Sequence, residues 1–148
     1  MAYELNQEEC LALQAKLDEF VRLSDSSSTL LCDKGGAVLV DSGSDAENDL
    51  MAALTAGSFA ATRELARTVG EEDFEAVYHQ GENRNLYIAG MCEEVILLAV
   101  FEKENSQVGL VRMMARKLRR EVNHVLDQMA NKQEVVAEDP TVSFVLKK

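Results

Sequence analysis

The sequence predicts an α/β domain of the α+β kind, in which helices cover both faces of one sheet. Apolar periodicity and turn signals give the element order α-β-β-α-β-β-β-α. Residues 95–101, VILLAVF, are apolar throughout. A strand with one wet face would alternate, so this run favours a strand with helices above and below it.

Length and composition indicate one globular domain. The chain has 148 residues, enough to bury a single core, and 47% of them are hydrophobic while 28% are charged. We expect residues 1–132 to form the domain. Residues 133–148 are expected to form a C-terminal tail that is either disordered or docks on a partner.

The charge balance limits the class of partner. The formal net charge is −11, which argues against a general nucleic-acid surface because phosphate binding depends on Lys and Arg. We find no basic and apolar leader segment, and no apolar run near the length of about 18 residues that a membrane span needs. We therefore expect a cytoplasmic protein without membrane insertion.

Local signals place the first three elements. Asn6 and Glu9 form a capping box for a helix that should run to about residue 23. Residues 33–36, DKGG, contain glycines that permit positive φ. They predict a hairpin turn between strands at 29–33 and 37–41.

The remaining elements follow from similar signals. Gly70 is expected to end the central helix as its C′ residue. Strands are predicted at 74–80 and 86–90, and the last helix from about residue 105 to about residue 131.

The central helix carries an uncharged run, residues 50–62, whose two faces differ. We expect the face with Leu50, Leu54 and Leu65 to pack on the sheet. Small residues at helical spacing occupy the other face, namely Ala52, Ala53, Ala56, Gly57 and Ala60. Small side chains let another backbone come close, so this face is either buried within the domain or forms an interface between chains.

Basic residues cluster on the last helix of this acidic chain. They are Arg112, Arg116, Lys117, Arg119 and Arg120. Two interpretations remain: a solvated face that pairs with acidic neighbours, or a patch for an acidic protein partner.

Motifs of an independent active site are missing. The sequence contains no GxxxxGK[ST] phosphate loop, no GxSxG elbow and no HExxH zinc pair. His79 falls in a predicted edge strand and His124 on the wet side of the last helix, and neither has other ligand types near it in sequence. We therefore predict no enzyme activity, no catalytic residue, no metal and no cofactor.

Several stretches resemble the bacterial roadblock/LC7 family in their order and spacing. They are STLLCDKGGAVLVDSG, LTAGSFAATRELARTVGEEDF, NLYIAG and EEVILLAVFEKENSQVGLVR. The resemblance covers about residues 5–129. It implies a profilin-like three-layer sandwich with a five-stranded antiparallel sheet.

The resemblance also implies a function. It suggests a homodimer whose sheets join edge to edge and whose central helices lie side by side. Such a dimer would regulate a small Ras-like GTPase of the MglA type in cell polarity or motility. It would act as a GTPase-activating protein that repositions the GTPase's own catalytic residues without an arginine finger. The alternative is a dimeric scaffold that binds a GTPase or signalling protein without stimulating hydrolysis; a small-molecule sensor is a third and weaker hypothesis.

The resemblance assigns residues to two surfaces. The partner-binding helix would use Ala52, Ala53, Ala56, Gly57, Ala60 and Glu64. The edge strand at the dimer seam would use Phe74, Ala76, Tyr78 and Gln80. Arg63 and Glu64 are bulky and charged where related sequences have small residues, so we expect partner specificity to differ at these positions.

Overall fold

Five strands form one antiparallel sheet in the middle of the molecule. The computed structural model describes residues 4–43, 47–105 and 107–138. The strands are β1 (Ser28–Asp33), β2 (Val38–Ser42), β3 (Ala76–Gln80), β4 (Arg84–Gly90) and β5 (Val95–Glu102). They lie in the order β2-β1-β5-β4-β3. The helices are α1 (Gln7–Ser24), α2 (Asn48–Thr68) and α3 (Val108–Glu138), so the predicted element order is confirmed.

Strand β5 is the central strand, and it separates two hydrophobic cores. Leu97 and Phe101 pack with α1 and α3 on one face. Ile96 and Leu98 pack with α2 on the other face. Every residue from 95 to 101 is buried, which confirms that this apolar run is covered on both faces.

Helix ends follow the local signals in the sequence. The Asn6 Oδ1 accepts a hydrogen bond from the Glu9 N–H at 2.8 Å, and the Glu9 carboxylate accepts one from the Asn6 N–H at 3.5 Å. Helix α2 ends at Thr68 with Val69 as its C-cap, and Gly70 follows as the C′ residue with φ +93°. The Glu71 N–H then donates to the Ala66 carbonyl at 2.9 Å, the contact typical of a Schellman motif. Both predicted signals are confirmed.

Two glycines bring α2 directly against the sheet. Gly36 has φ +88°, and a Cβ at this position would lie 2.9 Å from the Ala53 Cα. A Cβ at Gly90 would lie 3.1 Å from the Phe59 Cζ. The helix therefore rests on the β1–β2 turn at one point and on the end of β4 at another.

Strand β3 is shorter than predicted, because it begins at Ala76 and not at residue 74. The Asp73 side chain accepts a hydrogen bond from the Phe74 N–H at 2.8 Å, a local bond that competes with strand pairing. The Phe74 ring packs instead against the Phe59 ring, with centroids 5.0 Å apart. Phe74 was therefore wrongly assigned to the edge strand.

Helix α3 is longer than predicted. It continues to Glu138, past the expected end near residue 131 and into the stretch assigned to the C-terminal tail. Residues 132–138, KQEVVAE, are mostly good helix formers, which favours continuation of the helix. Residues 139–148 of the predicted tail lie outside the described residues.

We expect Gly36→Ala to lower the free energy of unfolding by about 2 kcal/mol, because alanine is strained at this φ and its Cβ would meet α2. Urea denaturation measures the change. Gly35→Ala is the matched control, since its Cβ would lie 3.4 Å from the Asp33 Oδ1 and its φ is not in the left-handed region. Equal losses in the two variants would contradict the packing described for Gly36.

Candidate partner-binding surface

Helix α2 faces the sheet with the side opposite to the one expected. Its buried residues are Ala52, Thr55, Ala56 and Phe59. The leucines that were predicted to pack on the sheet are exposed: Leu50 by 56%, Leu54 by 64% and Leu65 by 64%. The predicted assignment of the two faces was therefore wrong.

The close approach of α2 to the sheet explains the reversal. Ala52 is fully buried and Ala56 is 7% exposed, both within the core that α2 shares with the sheet. Small side chains are needed there because the helix touches the turn at Gly36. Ala52 and Ala56, predicted to bind a partner, serve this chain's own core instead.

The other four predicted contact residues form a continuous exposed line on α2, which we call the small-residue ridge. They are Ala53, Gly57, Ala60 and Glu64, and each is exposed. Their spacing of 4, 3 and 4 residues places them along one side of the helix. The ridge offers a flat surface with a carboxylate at one end.

A second exposed line lies beside the ridge, and we call it the leucine strip. It consists of Leu50, Leu54, Leu65 and Val69, the last of which is 72% exposed. Exposed apolar groups that lie together mark interaction sites more often than isolated ones do. Sequence reasoning missed this surface because helical periodicity shows that a line is apolar but not whether the sheet covers it.

A groove of about 310 Å³ runs between α2 and the uncovered part of the sheet. We call it the sheet groove. Its lining residues are Met51, Leu54, Thr55, Ser58, His79, Leu86, Ile88, Leu98 and Val100. Leu54 belongs to both the groove and the leucine strip, so the two surfaces are continuous.

The two edges of the sheet differ. In β2 the register shifts so that Leu31 pairs with Val40 and Cys32 with Val38, which leaves Leu39 as an extra residue. The Gln14 side chain of α1 also donates a hydrogen bond to the Asp41 carbonyl at 2.7 Å. Bulges and covering groups of this kind protect an edge against pairing.

Strand β3, at the other edge, pairs with β4 in regular register over all five residues. The Gly81 N–H donates to the Arg84 carbonyl at 3.0 Å. Because pairing alternates in an antiparallel ladder, the N–H and C=O groups of Ala76, Tyr78 and Gln80 point away from β4. Three of the four predicted seam residues thus present backbone groups at an open edge.

Arg63 is turned away from the ridge. Its guanidinium lies 3.5 Å from the Asp73 carboxylate and 5.6 Å from the centre of the Phe59 ring. The hydrogen bond from the Phe74 N–H, together with Arg63, holds the pKa of Asp73 below its ordinary value. Of Arg63 and Glu64, only Glu64 lies on the exposed ridge. Its carboxylate forms an ion pair with Arg67 at 2.5 Å.

The basic residues of α3 are largely paired with acids. Arg112 and Arg116 both bind Glu75, and the hydrogen bond from Arg116 lowers the pKa of that carboxyl. Lys117 lies 2.9 Å from Glu19. These contacts favour the interpretation of a solvated face that pairs with acidic neighbours.

Two members of the basic cluster stand apart from those pairs. Arg119 lines a polar cleft of about 400 Å³ together with Arg63 and Asp73. Arg120 is exposed on the outer side of α3.

The described residues whose types bind metals or act as acids and bases do not gather into one site. Within the described ranges, no group of three His, Cys, Asp or Glu residues could hold a metal ion. Burial raises the pKa of the Cys32 thiol to about 12, so it stays protonated. His79 is on the edge strand β3 and His124 is exposed on α3. In the same part of the chain, no helix is long and apolar enough to cross a membrane.

The fold and the arrangement of α2 over the sheet define a known class of domain. The roadblock/LC7 domain profile matches residues 12–101, and the chain belongs to this family.

Within the family, the chain is similar to solved MglB structures. The gliding protein MglB from Thermus thermophilus is 28% identical, with a TM-score of 0.77 over 84% of this chain and 95% of that one. Myxococcus xanthus MglB is 26% identical, with a TM-score of 0.78 over 85% and 96% of the two chains. A structure described as MglB with a tetrameric arrangement is 27% identical, with a TM-score of 0.77 over 84% and 94%. The chain is thus an MglB-like roadblock protein.

We expect Arg63→Ala to lower the free energy of unfolding by about 1 kcal/mol, because it removes the contacts with Asp73 and the Phe59 ring. Glu64→Ala should change stability by less than about 0.5 kcal/mol, since Glu64 is exposed. Urea denaturation of the two variants makes the comparison. If Glu64→Ala were the more damaging change, the structural role given to Arg63 would be wrong.

Proposed function

We propose that two copies of this chain form a homodimer through the β3 edge and the leucine strip. The observation that carries the proposal is that the open edge, the sheet groove and the leucine strip adjoin one another on a single protomer. His79 of β3 lines the groove, and so does Leu54 of the strip. A second copy that pairs at β3 would therefore carry its own α2 over this groove.

A two-fold arrangement uses each surface twice. In such an interface the same patch faces itself, so each strip covers the groove of the other copy. Full burial of a leucine side chain is worth about 1.5–3 kcal/mol, and Leu50, Leu54 and Leu65 are each more than half exposed. Strand pairing would add backbone hydrogen bonds at Ala76, Tyr78 and Gln80.

The dimer proposal predicts a specific loss in Leu54→Glu. This change puts a charge into the apolar groove, and we expect the dimer dissociation constant to rise at least about tenfold. Sedimentation velocity measures it. Leu11→Glu is the matched control, since Leu11 is 65% exposed but lies on α1. The proposed interface would be contradicted if both variants raised the dissociation constant equally, or if neither variant raised it.

We further propose that the dimer acts in the cytoplasm as a GTPase-activating regulator of a small Ras-like GTPase of the MglA type. Membership of the roadblock family and the similarity to MglB structures support this proposal. The small-residue ridge stays exposed beside the strip, so a dimer would offer two ridges on one face. We assign this face to the GTPase.

The ridge suits a regulator that acts through its partner's own residues. Its side chains carry one carboxylate, that of Glu64, and otherwise only methyl groups and hydrogen. The neighbouring Arg63 is held by Asp73 and Phe59, and Arg67 is paired with Glu64. A surface of this kind can stabilise the catalytic conformation of a GTPase loop by contact, without supplying an arginine to the phosphate.

The direct test is phosphate release by a small Ras-like GTPase encoded in the same genome, with and without this protein. We expect faster hydrolysis with the wild-type protein and loss of the effect in Ala60→Arg, because a long charged side chain would hold the GTPase off the ridge. Ala15→Arg is the control, since Ala15 is also exposed in a helix but lies on α1. Binding without acceleration would favour the scaffold, and equal loss in both variants would count against the ridge.

A further inference from the structure

Of the described residues that line the sheet groove, His79 is the one with a titratable side chain. It is exposed, and it stands on the α2 side of β3, opposite Leu86 of β4. The other residues of the groove are apolar or carry hydroxyl groups. A group that gains charge as the pH falls thus sits in the surface that a second copy would cover.

Among the described residues that line the groove, none offers the His79 imidazole a charged partner. Helix α2 contributes Met51, Leu54, Thr55 and Ser58, while β4 and β5 contribute Leu86, Ile88, Leu98 and Val100. The charged residues that line the adjoining depression are Arg84 and Glu102, which pair with each other at 3.2 Å.

A second copy would bring more apolar surface to this place. With the β3 strands paired antiparallel over their whole length, the seam centres on Tyr78, and His79 stands opposite Val77 of the other copy. The acids on the outer part of α2, Asp49 and Glu64, lie on the ridge side of that helix and not on the groove side.

We propose that His79 makes self-association sensitive to pH, so that the dimer weakens in acid. This proposal rests on the homodimer proposed above, and it concerns the regulation of that interface.

The sign follows from desolvation. An imidazole side chain becomes a cation when it gains a proton in mild acid. In the monomer, water solvates the resulting cation. In the dimer, the second copy's leucine strip displaces that water, and burial of a charge without a partner is unfavourable. Two monomers therefore bind more protons than one dimer, and association loses strength as the pH falls.

The chain supplies a matched control, because it contains two histidines and His124 lies on α3, away from the groove. The experiment measures the dimer dissociation constant of the full chain by sedimentation velocity at about pH 7.5 and about pH 5.5, on either side of the ordinary imidazole pKa. The wild-type protein, His79→Gln, His79→Lys and His124→Gln are compared. Circular dichroism at both pH values checks that each variant is folded.

For the wild-type protein and His124→Gln, we expect a dissociation constant about tenfold higher at the lower pH than at the higher one. His79→Gln should lose most of this difference. His79→Lys should dissociate readily at both values, because its charge is permanent.

Equal pH dependence in His79→Gln and the wild-type protein would overturn the role of His79. A wild-type dissociation constant that is the same at both pH values would also overturn the role of His79, while leaving the dimer proposal in place. A chain that stays monomeric at both pH values and at high concentration would overturn the dimer and the pH effect together.

Discussion

The contact between α2 and the β1–β2 turn determines which surfaces this protein presents. Gly36 leaves no room for a side chain beside Ala53, so the helix lies at a short distance from the sheet. Near this turn, small residues fit between the helix and the sheet, and Ala52 and Ala56 take those places; Phe59 is accommodated further along, beside Gly90. The bulky leucines are turned outward as a result, and the small-residue ridge lies beside them.

Residues 73–75, which precede strand β3, contact helices on both faces of the sheet. On the α2 side, Phe74 packs on Phe59, and Asp73 binds Arg63. On the α3 side, the Glu75 carboxylate forms ion pairs with Arg116 and Arg112. Three consecutive residues ahead of the strand are thus tied to two different helices. A partner that moved either helix would also move the strand that we assign to the seam.

Much of the fold could be predicted from local sequence signals. The Asn6 capping box, the hairpin glycines and the double-sided burial of β5 each depend on residues that are close in sequence. The orientation of α2 could not be predicted in this way. Both sides of that helix are apolar, and the choice between them depends on Gly36, which lies far before Ala53 in the chain and on a different element.

The candidate surfaces were predictable only in part. The ridge residues were predicted from the family resemblance, and two other members of that predicted set, Ala52 and Ala56, are buried in the chain's own core. The basic cluster could not be interpreted because its partners are remote in sequence: Glu75 is 41 positions from Arg116, and Glu19 is 98 positions from Lys117. The groove could not be foreseen, since three strands and a helix build it.

The bulge in β2 has a consequence for assembly. A sheet that could pair at both edges would accept further copies at each end and grow into a fibre. Here one edge carries the extra residue Leu39 and the Gln14 hydrogen bond, and only the other edge is regular. If two copies of the five-stranded sheet join at β3, each has used its regular edge, and the combined sheet stops growing at the dimer.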